Sequence, residues 1–256
     1  MTEPALAVRD LTVRFGGLVA VNSISFTVAP GETFGVIGPN GAGKTTLLNA
    51  VSGLLRLHSG TVHVDGRPVH GMRPDRLARL GVGRSFQAAE VFNDFVVLDY
   101  LSLGRLRHQR TSVVATALRL PSIARGERRD ERAGRDLLAR FDLADIAGER
   151  LKELPYGLRK LVDLLRALSG RPRQLLLDEP TSGTAVADRV LLRQVLDEAS
   201  ADGVTVVVVD HDVQFVSDRC DRLLVMNFGT ELATGDPAEV LGRPDVQAAY
   251  VGLETA

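Results

Sequence analysis

The strongest constraint on the fold is the glycine-rich segment "VIGPNGAGKTTLL" at residues 36–48. Gly38 to Thr45 match the pattern G-x-x-x-x-G-K-[ST], with an apolar strand pattern before them and a helical pattern after them. Such glycines let consecutive backbone N–H groups face phosphate oxygens, and the dipole of the following helix adds positive potential. Lys44 would supply a charge for the outer phosphates, and the Thr45 hydroxyl a ligand for Mg²⁺. The sequence therefore predicts a nucleotide-phosphate site.

Composition limits the class of protein in which this loop lies. The 256 residues include 31 basic and 32 acidic side chains, so no net field attracts nucleic acid, and we expect no nucleic-acid partner. Cys220 is the single cysteine, and the N-terminal segment lacks a signal-peptide pattern. The apolar runs are far shorter than the roughly 18 residues of a membrane helix. We therefore expect a cytoplasmic chain whose membrane contacts depend on another chain.

The distribution of apolar residues predicts an α/β fold. Short β-branched runs in the first 66 residues alternate with turn signals such as Pro30-Gly31, which is typical of a partly antiparallel sheet. The runs "QLLLDE" and "VTVVVVDH" are nearly all apolar, as are strands buried on both faces of a parallel sheet. Residues 96–168 carry apolar residues at helical spacing. We expect a P-loop NTPase core with a mainly parallel sheet, an antiparallel β subdomain and a helical subdomain.

Three polar side chains follow the predicted parallel strands. Asp178 and Glu179 end the run "QLLLDE", at the edge where a doubly wound sheet presents side chains to its ligand. Asp178 can hold Mg²⁺ directly or through water, and Glu179 can orient the attacking water or accept its proton. His211 in "VVVDHDV" can contact the terminal phosphate and position that water. Taken singly, each also fits a structural role, the acidic pair as a helix cap and the histidine as a turn residue.

The order of the motifs carries more weight than any one of them. The phosphate loop is followed by Gln87 in "GRSFQ", by "LPYGL" at 154–158, by "LLLDEP" and by "VVDHD". This order resembles the ATP-binding subunit of ABC transporters over essentially the whole chain. The segments "RFGGLVAVNSISF", "DHDVQFVSDRCDRLLVMNFG" and "GDPAEVLGRPDVQAAYVG" are similar to the ATPases of branched-chain amino acid importers. Urea-type and lipopolysaccharide-transport ATPases share much of the last segment.

The resemblance implies a role for each motif residue. Glu179, His211 and Lys44 would be catalytic, and Thr45, Gln87 and Asp178 would hold the metal. Phe15 would stack on adenine, although an amphipathic strand residue in the core is its structural alternative. The nucleotide would also be held by Gly38, Pro39, Asn40, Gly41, Ala42, Gly43, Lys44, Thr45 and Thr46, and in trans by Pro155, Tyr156 and Gly157 of a second subunit.

The resemblance also implies a function and a set of partners. The chain would be a single ABC ATPase domain, with a core at 1–95 and 169–256, a helical subdomain at 96–168 and a C-terminal extension at 236–256. It would use ATP and Mg²⁺ to energise an importer of branched-chain amino acids or related small polar solutes. Its partners would be membrane-spanning permeases, a second ATPase of the same or a sister chain and, indirectly, a solute-binding protein. It would lie on the inner face of the cell membrane.

Two departures from the family pattern keep alternatives open. Leu158 stands where the signature L-S-G-G-Q ends in Gln, and Ala185 stands where the family usually has an Asp or Asn that reaches across the dimer. Asp188 follows one turn later and is the candidate substitute. We expect ATP binding with hydrolysis that these changes could slow. The alternatives are a weakly hydrolysing regulatory cassette and a soluble ABC ATPase of the iron–sulfur assembly type.

Overall fold

The structure, a computed structural model, describes residues 3–85, 92–106 and 121–251, without the side chains of residues 121–125, 127 and 251. The chain divides into two compact units. The core unit comprises Met1–Arg84, Arg173–Ser182 and Ala199–Ala256. The helical unit comprises Ser85–Pro172 and Gly183–Glu198.

The elements of the described residues are numbered in chain order. The strands are β1 (Leu6–Phe15), β2 (Leu18–Val28), β3 (Thr33–Ile37), β4 (Ser59–Val64), β5 (Arg67–Pro68), β6 (Val82–Arg84), β7 (Gln174–Asp178), β8 (Thr205–Val209), β9 (Arg222–Asn227) and β10 (Thr230–Gly235). The α-helices are α1 (Lys44–Val51), α2 (Pro74–Arg79), α3 (Val97–Arg105), α4 (Pro121–Arg140), α5 (Tyr156–Ser169), α6 (Val186–Ala201), α7 (Val213–Ser217), α8 (Pro237–Leu241) and α9 (Pro244–Val251). Short 3₁₀ turns cover Ala144–Gly148 and Leu151–Glu153.

The larger sheet of the core unit has the strand order β10-β9-β3-β8-β7-β6. All of its neighbouring strands run parallel except β10, which pairs antiparallel with β9. Every residue of β3, β7 and β8 is buried, because both faces of these strands are covered. Burial on both faces explains why the sequences of these strands are almost entirely apolar. Parallel strands end at one edge of the sheet, so the segments that follow β3, β7 and β8 share an edge.

The smaller sheet is antiparallel and has the order β2-β1-β4-β5. Its inward side chains, such as Leu11 and Ile24, are fully buried in one apolar cluster with residues of β3 and α1. The rings of Phe26 on β2 and Phe34 on β3 stack with their centroids 5.0 Å apart. The apolar cluster therefore fixes the β1–β2 hairpin against the strand that leads into the glycine-rich loop. The predicted α/β class, with a mainly parallel and an antiparallel sheet, is confirmed.

A buried polar cluster links α3 and α5 in the helical unit. The hydroxyl of Tyr100 donates to the Asp163 carboxylate over 2.6 Å, and Nε of Arg166 donates to the same oxygen over 2.8 Å. All three side chains are buried, and the Arg166 guanidinium also lies over the Tyr100 ring. Burial raises the pKa of Tyr100, so this hydroxyl stays protonated as a donor.

No helix among the described residues combines the length and apolar character needed to cross a membrane.

Candidate nucleotide site

The glycine-rich loop runs from the end of β3 to the start of α1 and needs glycine at two close approaches. Gly43 caps α1 with a φ of 95°, and a Cβ on it would overlap the carbonyl oxygen of Ala20. A Cβ on Gly38, with a φ of 151°, would overlap the carbonyl oxygen of Met226. Neither position has room for a side chain, so the loop is wedged between β2 and β9. The backbone at the start of α1 is thereby fixed.

Lys44 folds back onto this loop. Its Nζ donates to the carbonyl oxygens of Gly38 and Pro39 over 2.7 and 2.9 Å, and the residue is only 5% exposed. Burial lowers the pKa of Lys44, while the nearby carboxylates of Glu179, Asp210 and Asp178 oppose that shift. The loop thus holds the ammonium group through two carbonyl oxygens. Phosphate oxygens could take the place of these carbonyl oxygens as its acceptors.

Thr45 and Asp178 lie side by side, as a shared metal site requires. The Thr45 hydroxyl donates to Oδ1 of Asp178 over 3.2 Å, and the Asp178 side chain has no exposed surface. Both groups offer the hard oxygen atoms that Mg²⁺ prefers. Among the residues that the structure describes, no group of three or more His, Cys, Asp or Glu side chains could hold a metal. The pair therefore fits an ion that takes most of its ligands from water and phosphate.

Arg84 is a member of this site that sequence reasoning missed. It ends β6 beside β7, and its Nη2 lies 3.3 Å from Oδ2 of Asp178 and 2.5 Å from Oδ1 of Asn49. It also donates to the Ser52 hydroxyl. Burial raises the pKa of Asp178, and the Arg84 charge opposes this rise most strongly. Gln87, predicted as a third metal ligand, lies outside the described residues.

Glu179 follows β7 in an unusual backbone conformation. Its φ is 47°, a left-handed value that costs energy for a residue with a side chain, and its N–H donates to the carbonyl oxygen of Val209 over 2.7 Å. The turn that follows is tied to the end of β8, because the Thr181 hydroxyl donates to the fully buried Asp210 over 2.8 Å. Glu179 lines the cavity described below.

His211 stands next to Asp210 and is half exposed. Its backbone N–H donates to Oδ1 of Asp210 over 2.7 Å, and its Nδ1 lies 3.4 Å from the same oxygen. Asp210 thus orients the histidine and, through Thr181, the turn after Glu179. Sequence reasoning did not single out Asp210, since its role depends on a contact across 29 residues.

A cavity of about 500 Å³ opens in front of the loop. Among the predicted site residues it is lined by Phe15, Asn40, Gly41, Gly43, Lys44, Thr45, Thr46 and Glu179. The predicted residues Gly38, Pro39, Ala42, Asp178 and His211 are not part of this lining. Five residues that were not predicted complete it: Leu18, Val19, Ala20, Phe228 and Gly229. Phe15 is about half exposed and lines the cavity instead of packing in the core.

The signature segment lies at the start of α5 in the helical unit. Pro155 caps the helix, Tyr156 opens it, and Gly157 is buried in its first turn. A Cβ on Gly157 would overlap the Asp188 carboxylate. That carboxylate also accepts the N–H of Ala185 over 3.1 Å. Asp188 therefore contacts the signature glycine within its own chain.

Comparisons with known proteins agree with these features. Residues 21–182 match the family model described as ABC transporter. The branched-chain amino acid transport ATP-binding protein BraF of Pseudomonas aeruginosa is 34% identical over 98% of this chain and 99% of its own length. The corresponding LivG protein of Escherichia coli is 32% identical with the same coverage of each chain.

Solved structures agree on the fold. A nucleotide-free ATP-binding cassette from an ABC transporter superposes with a TM-score of 0.82 and 28% identity, over 96% of this chain and 98% of that one. The ADP conformation of an ABC transporter cassette superposes with the same TM-score and identity, over 97% and 99% of the two chains. The chain therefore belongs to the ABC transporter family of ATP-binding cassettes, whose ATP hydrolysis is coupled to transport.

Proposed function

We propose that this ATPase binds Mg²⁺-ATP in the cavity in front of the glycine-rich loop and energises the import of branched-chain amino acids or related small polar solutes. The full-length similarity to two branched-chain amino acid transport proteins is the observation that carries this choice of solute. The loop, the Thr45–Asp178 pair and the cavity support the site.

Each side chain has a chemical task in this proposal. Lys44 exchanges the carbonyls of Gly38 and Pro39 for oxygens of the outer phosphates, and the N–H groups of the loop and of Thr46 hold the remaining oxygens. Thr45 and Asp178 hold Mg²⁺, which neutralises charge on the phosphates when it is bound. Glu179 lines the same cavity and orients the attacking water or takes its proton.

His211 contacts the terminal phosphate from the end of β8, with its ring oriented by Asp210. Gln87 is proposed as a further metal ligand at the junction with the membrane subunit. The half-exposed ring of Phe15 receives the adenine base.

A second cassette completes the site in this proposal. Pro155, Tyr156 and Gly157 lie at a helix N-terminus, where N–H groups and the helix dipole favour a phosphate from the partner. The contacts of a bridging ATP exist only in the closed pair, so ATP binding favours closure and hydrolysis removes it. Membrane-spanning permeases would respond to this cycle, a solute-binding protein would deliver the cargo, and the cassettes would lie on the inner face of the membrane. The single ABC domain and its predicted subdivisions remain part of this proposal.

Reconstitution tests the proposal directly. The chain would be purified with the permeases and any second ATPase encoded beside it, and placed in vesicles that enclose ATP on the side of the cassettes, with the solute-binding protein added outside. We expect ATP-dependent uptake of radiolabelled leucine, and no uptake with Glu179→Gln. If the complex hydrolyses ATP but takes up only a chemically unrelated solute, the proposed cargo is wrong. If Glu179→Gln hydrolyses ATP at the wild-type rate, the proposed role of Glu179 is wrong.

A second candidate is a weakly hydrolysing regulatory cassette. It is favoured by Ala185, which lacks the polar group expected there, and by Asp188, whose carboxylate lies against Gly157. A carboxylate at this point repels an arriving phosphate. The turnover number of the assembled complex separates the two: a rate unchanged by Glu179→Gln in this chain, with the partner ATPase intact, indicates a regulatory role.

A further inference from the structure

Phe228 occupies a turn position that disfavours it. Asn227 pairs with Thr230, so Phe228 and Gly229 are the two loop residues of the β9–β10 hairpin. Their φ values are 46° and 78°, and two positive values are the mark of a type I′ turn, which prefers Asn, Asp or Gly at the first position. A bulky residue with positive φ is strained. The residue is also 88% exposed, so burial does not offset this strain.

The backbone holds this turn beside the glycine-rich loop. The N–H of Gly229 donates to the carbonyl oxygen of Ala42 over 3.1 Å, and its carbonyl accepts the N–H of Asn22 over 2.7 Å. A Cβ on Gly229 would lie 2.8 Å from the carbonyl oxygen of Ala20, so the turn packs closely against β2. These hydrogen bonds position the backbone of Phe228 at the rim of the nucleotide cavity.

Phe228 shares the cavity lining with two other exposed apolar side chains. Phe15 and Leu18 pair across the β1–β2 turn and are 49% and 66% exposed. The polar lining residues Lys44, Thr45 and Glu179 belong to the same cavity. One cavity thus combines a phosphate cradle with an apolar rim that carries two aromatic rings, which matches a ligand with a charged tail and a flat aromatic base.

We propose that Phe228 is a second base-contacting residue, which together with Phe15 forms the aromatic walls of the base subsite. This inference rests on the proposed binding of ATP in the cavity. The occupant is the adenine ring of the nucleotide, because the rings are continuous with the phosphate cradle in one cavity. Stacking of a base on an aromatic face gives back the stability that the strained, exposed position loses. A position that breaks a local rule is where a ligand contact is expected.

The test separates the base from the phosphates. Phe228→Asn removes the ring and supplies a residue that the turn prefers, Phe228→Trp keeps an aromatic face, and Leu54→Asn removes an exposed apolar side chain of the same unit outside the cavity lining. Calorimetry measures the binding of Mg²⁺-ATP and of inorganic tripolyphosphate to each. We expect Phe228→Asn to weaken ATP about five- to tenfold and leave tripolyphosphate unchanged. Phe228→Trp and Leu54→Asn should keep wild-type ATP affinity, and the Tm of Phe228→Asn should not fall.

Three results would overturn the inference. Wild-type ATP affinity in Phe228→Asn would show that the ring does not touch the base and would leave a protein partner as its occupant. Equal weakening of both probes would show that the turn acts on the phosphate cradle. Strictly additive effects of Phe15→Ala and Phe228→Asn in a double-mutant cycle would show that the two rings do not share one base. A wild-type protein that binds neither probe would instead refute the proposed nucleotide site itself.

Discussion

At the scale of single residues, the site contains buried charged groups, each of which is stabilised by groups of opposite charge or by hydrogen bonds. Lys44 is held by two carbonyl oxygens and by the field of three carboxylates, and Asp178 by Thr45 and Arg84. The Asp178 partners lie on α1 and β6, far from β7 in the sequence, so the site exists only in the folded chain. Removal of the phosphate-binding charge of Lys44 should therefore lower nucleotide affinity, whereas removal of the structural charge of Arg84 should lower the free energy of unfolding.

Lys44→Ala should weaken nucleotide binding strongly while the protein remains folded. The ammonium group is the cation of the cradle, and a charge-assisted bond to phosphate is worth about 1.5–3 kcal/mol, so affinity should fall by at least about tenfold. Calorimetry with Mg²⁺-ATP measures the loss, and far-UV circular dichroism checks the fold. The exposed Lys152→Ala of the helical unit is the control and should keep wild-type affinity. Equal affinity of wild type and Lys44→Ala would contradict the assignment.

Arg84→Met should destabilise the protein even without nucleotide. It leaves the fully buried Asp178 carboxylate without its arginine, and breaking a buried ion pair costs about 3–5 kcal/mol. Urea unfolding measures the change in the free energy of unfolding. The exposed Arg79→Met is the matched control and should change it by less than about 0.5 kcal/mol. If Arg84→Met and Arg79→Met unfold at the same urea concentration, the Arg84–Asp178 pair does not stabilise the fold.

At the scale of elements, local patterns were predictable and contacts between distant segments were not. The glycine-rich loop, the all-apolar strands β7 and β8 and the helix that starts at Tyr156 each follow from a run of adjacent residues. Arg84 meets Asp178 across 94 residues. Phe228 reaches the cavity only because its hairpin is tied to Ala42. No short window of sequence contains either relation, so both residues were missed.

In the polar cluster between α3 and α5, loss of Asp163 should destabilise the protein more than loss of the Tyr100 hydroxyl. Tyr100→Phe removes one donor and leaves Asp163 bound to Arg166, so it should cost about 1 kcal/mol. Asp163→Ala removes the shared acceptor and takes the carboxylate away from the buried Arg166, so it should cost about 3–5 kcal/mol. Chemical denaturation followed by circular dichroism measures both. Similar losses in the two variants would show that the charge of Asp163 contributes nothing beyond one hydrogen bond.

At the scale of the whole molecule, the chain passes repeatedly between the two units, and α6 belongs to both. Its residues up to Glu198 lie in the helical unit, and Ala199 to Ala201 lie in the core unit. The parallel strands of the core unit likewise come from both ends of the sequence. The core unit therefore cannot fold from one continuous stretch, and a probe of its opening should report a cooperative event.

Cys220 provides that probe without any substitution. It is the single cysteine, it is buried, and burial raises the pKa of its thiol, so the reactive thiolate is suppressed in the folded state. Its Sγ would lie 3.0 Å from a Cβ placed on Gly35, directly against β3. We expect modification by an aromatic disulfide reagent to require opening of the core unit around this strand, which continues into the glycine-rich loop.

Mg²⁺-ATP should then protect Cys220 by mass action. A ligand that binds only the folded state lowers the open population by a factor of 1 + [L]/Kd, so ATP at 100 times its Kd should slow labelling about a hundredfold. The rate is read from the absorbance of the released thiol as ATP is varied, and Lys44→Ala, which should bind ATP at least about tenfold more weakly, should need correspondingly more ATP for the same protection. A labelling rate that is independent of ATP in the wild type, at concentrations where calorimetry detects binding, would mean that Cys220 is reached by a local movement. In that case the core unit does not open as one cooperative body, and the strands that carry the site are less tightly coupled than their shared sheet implies.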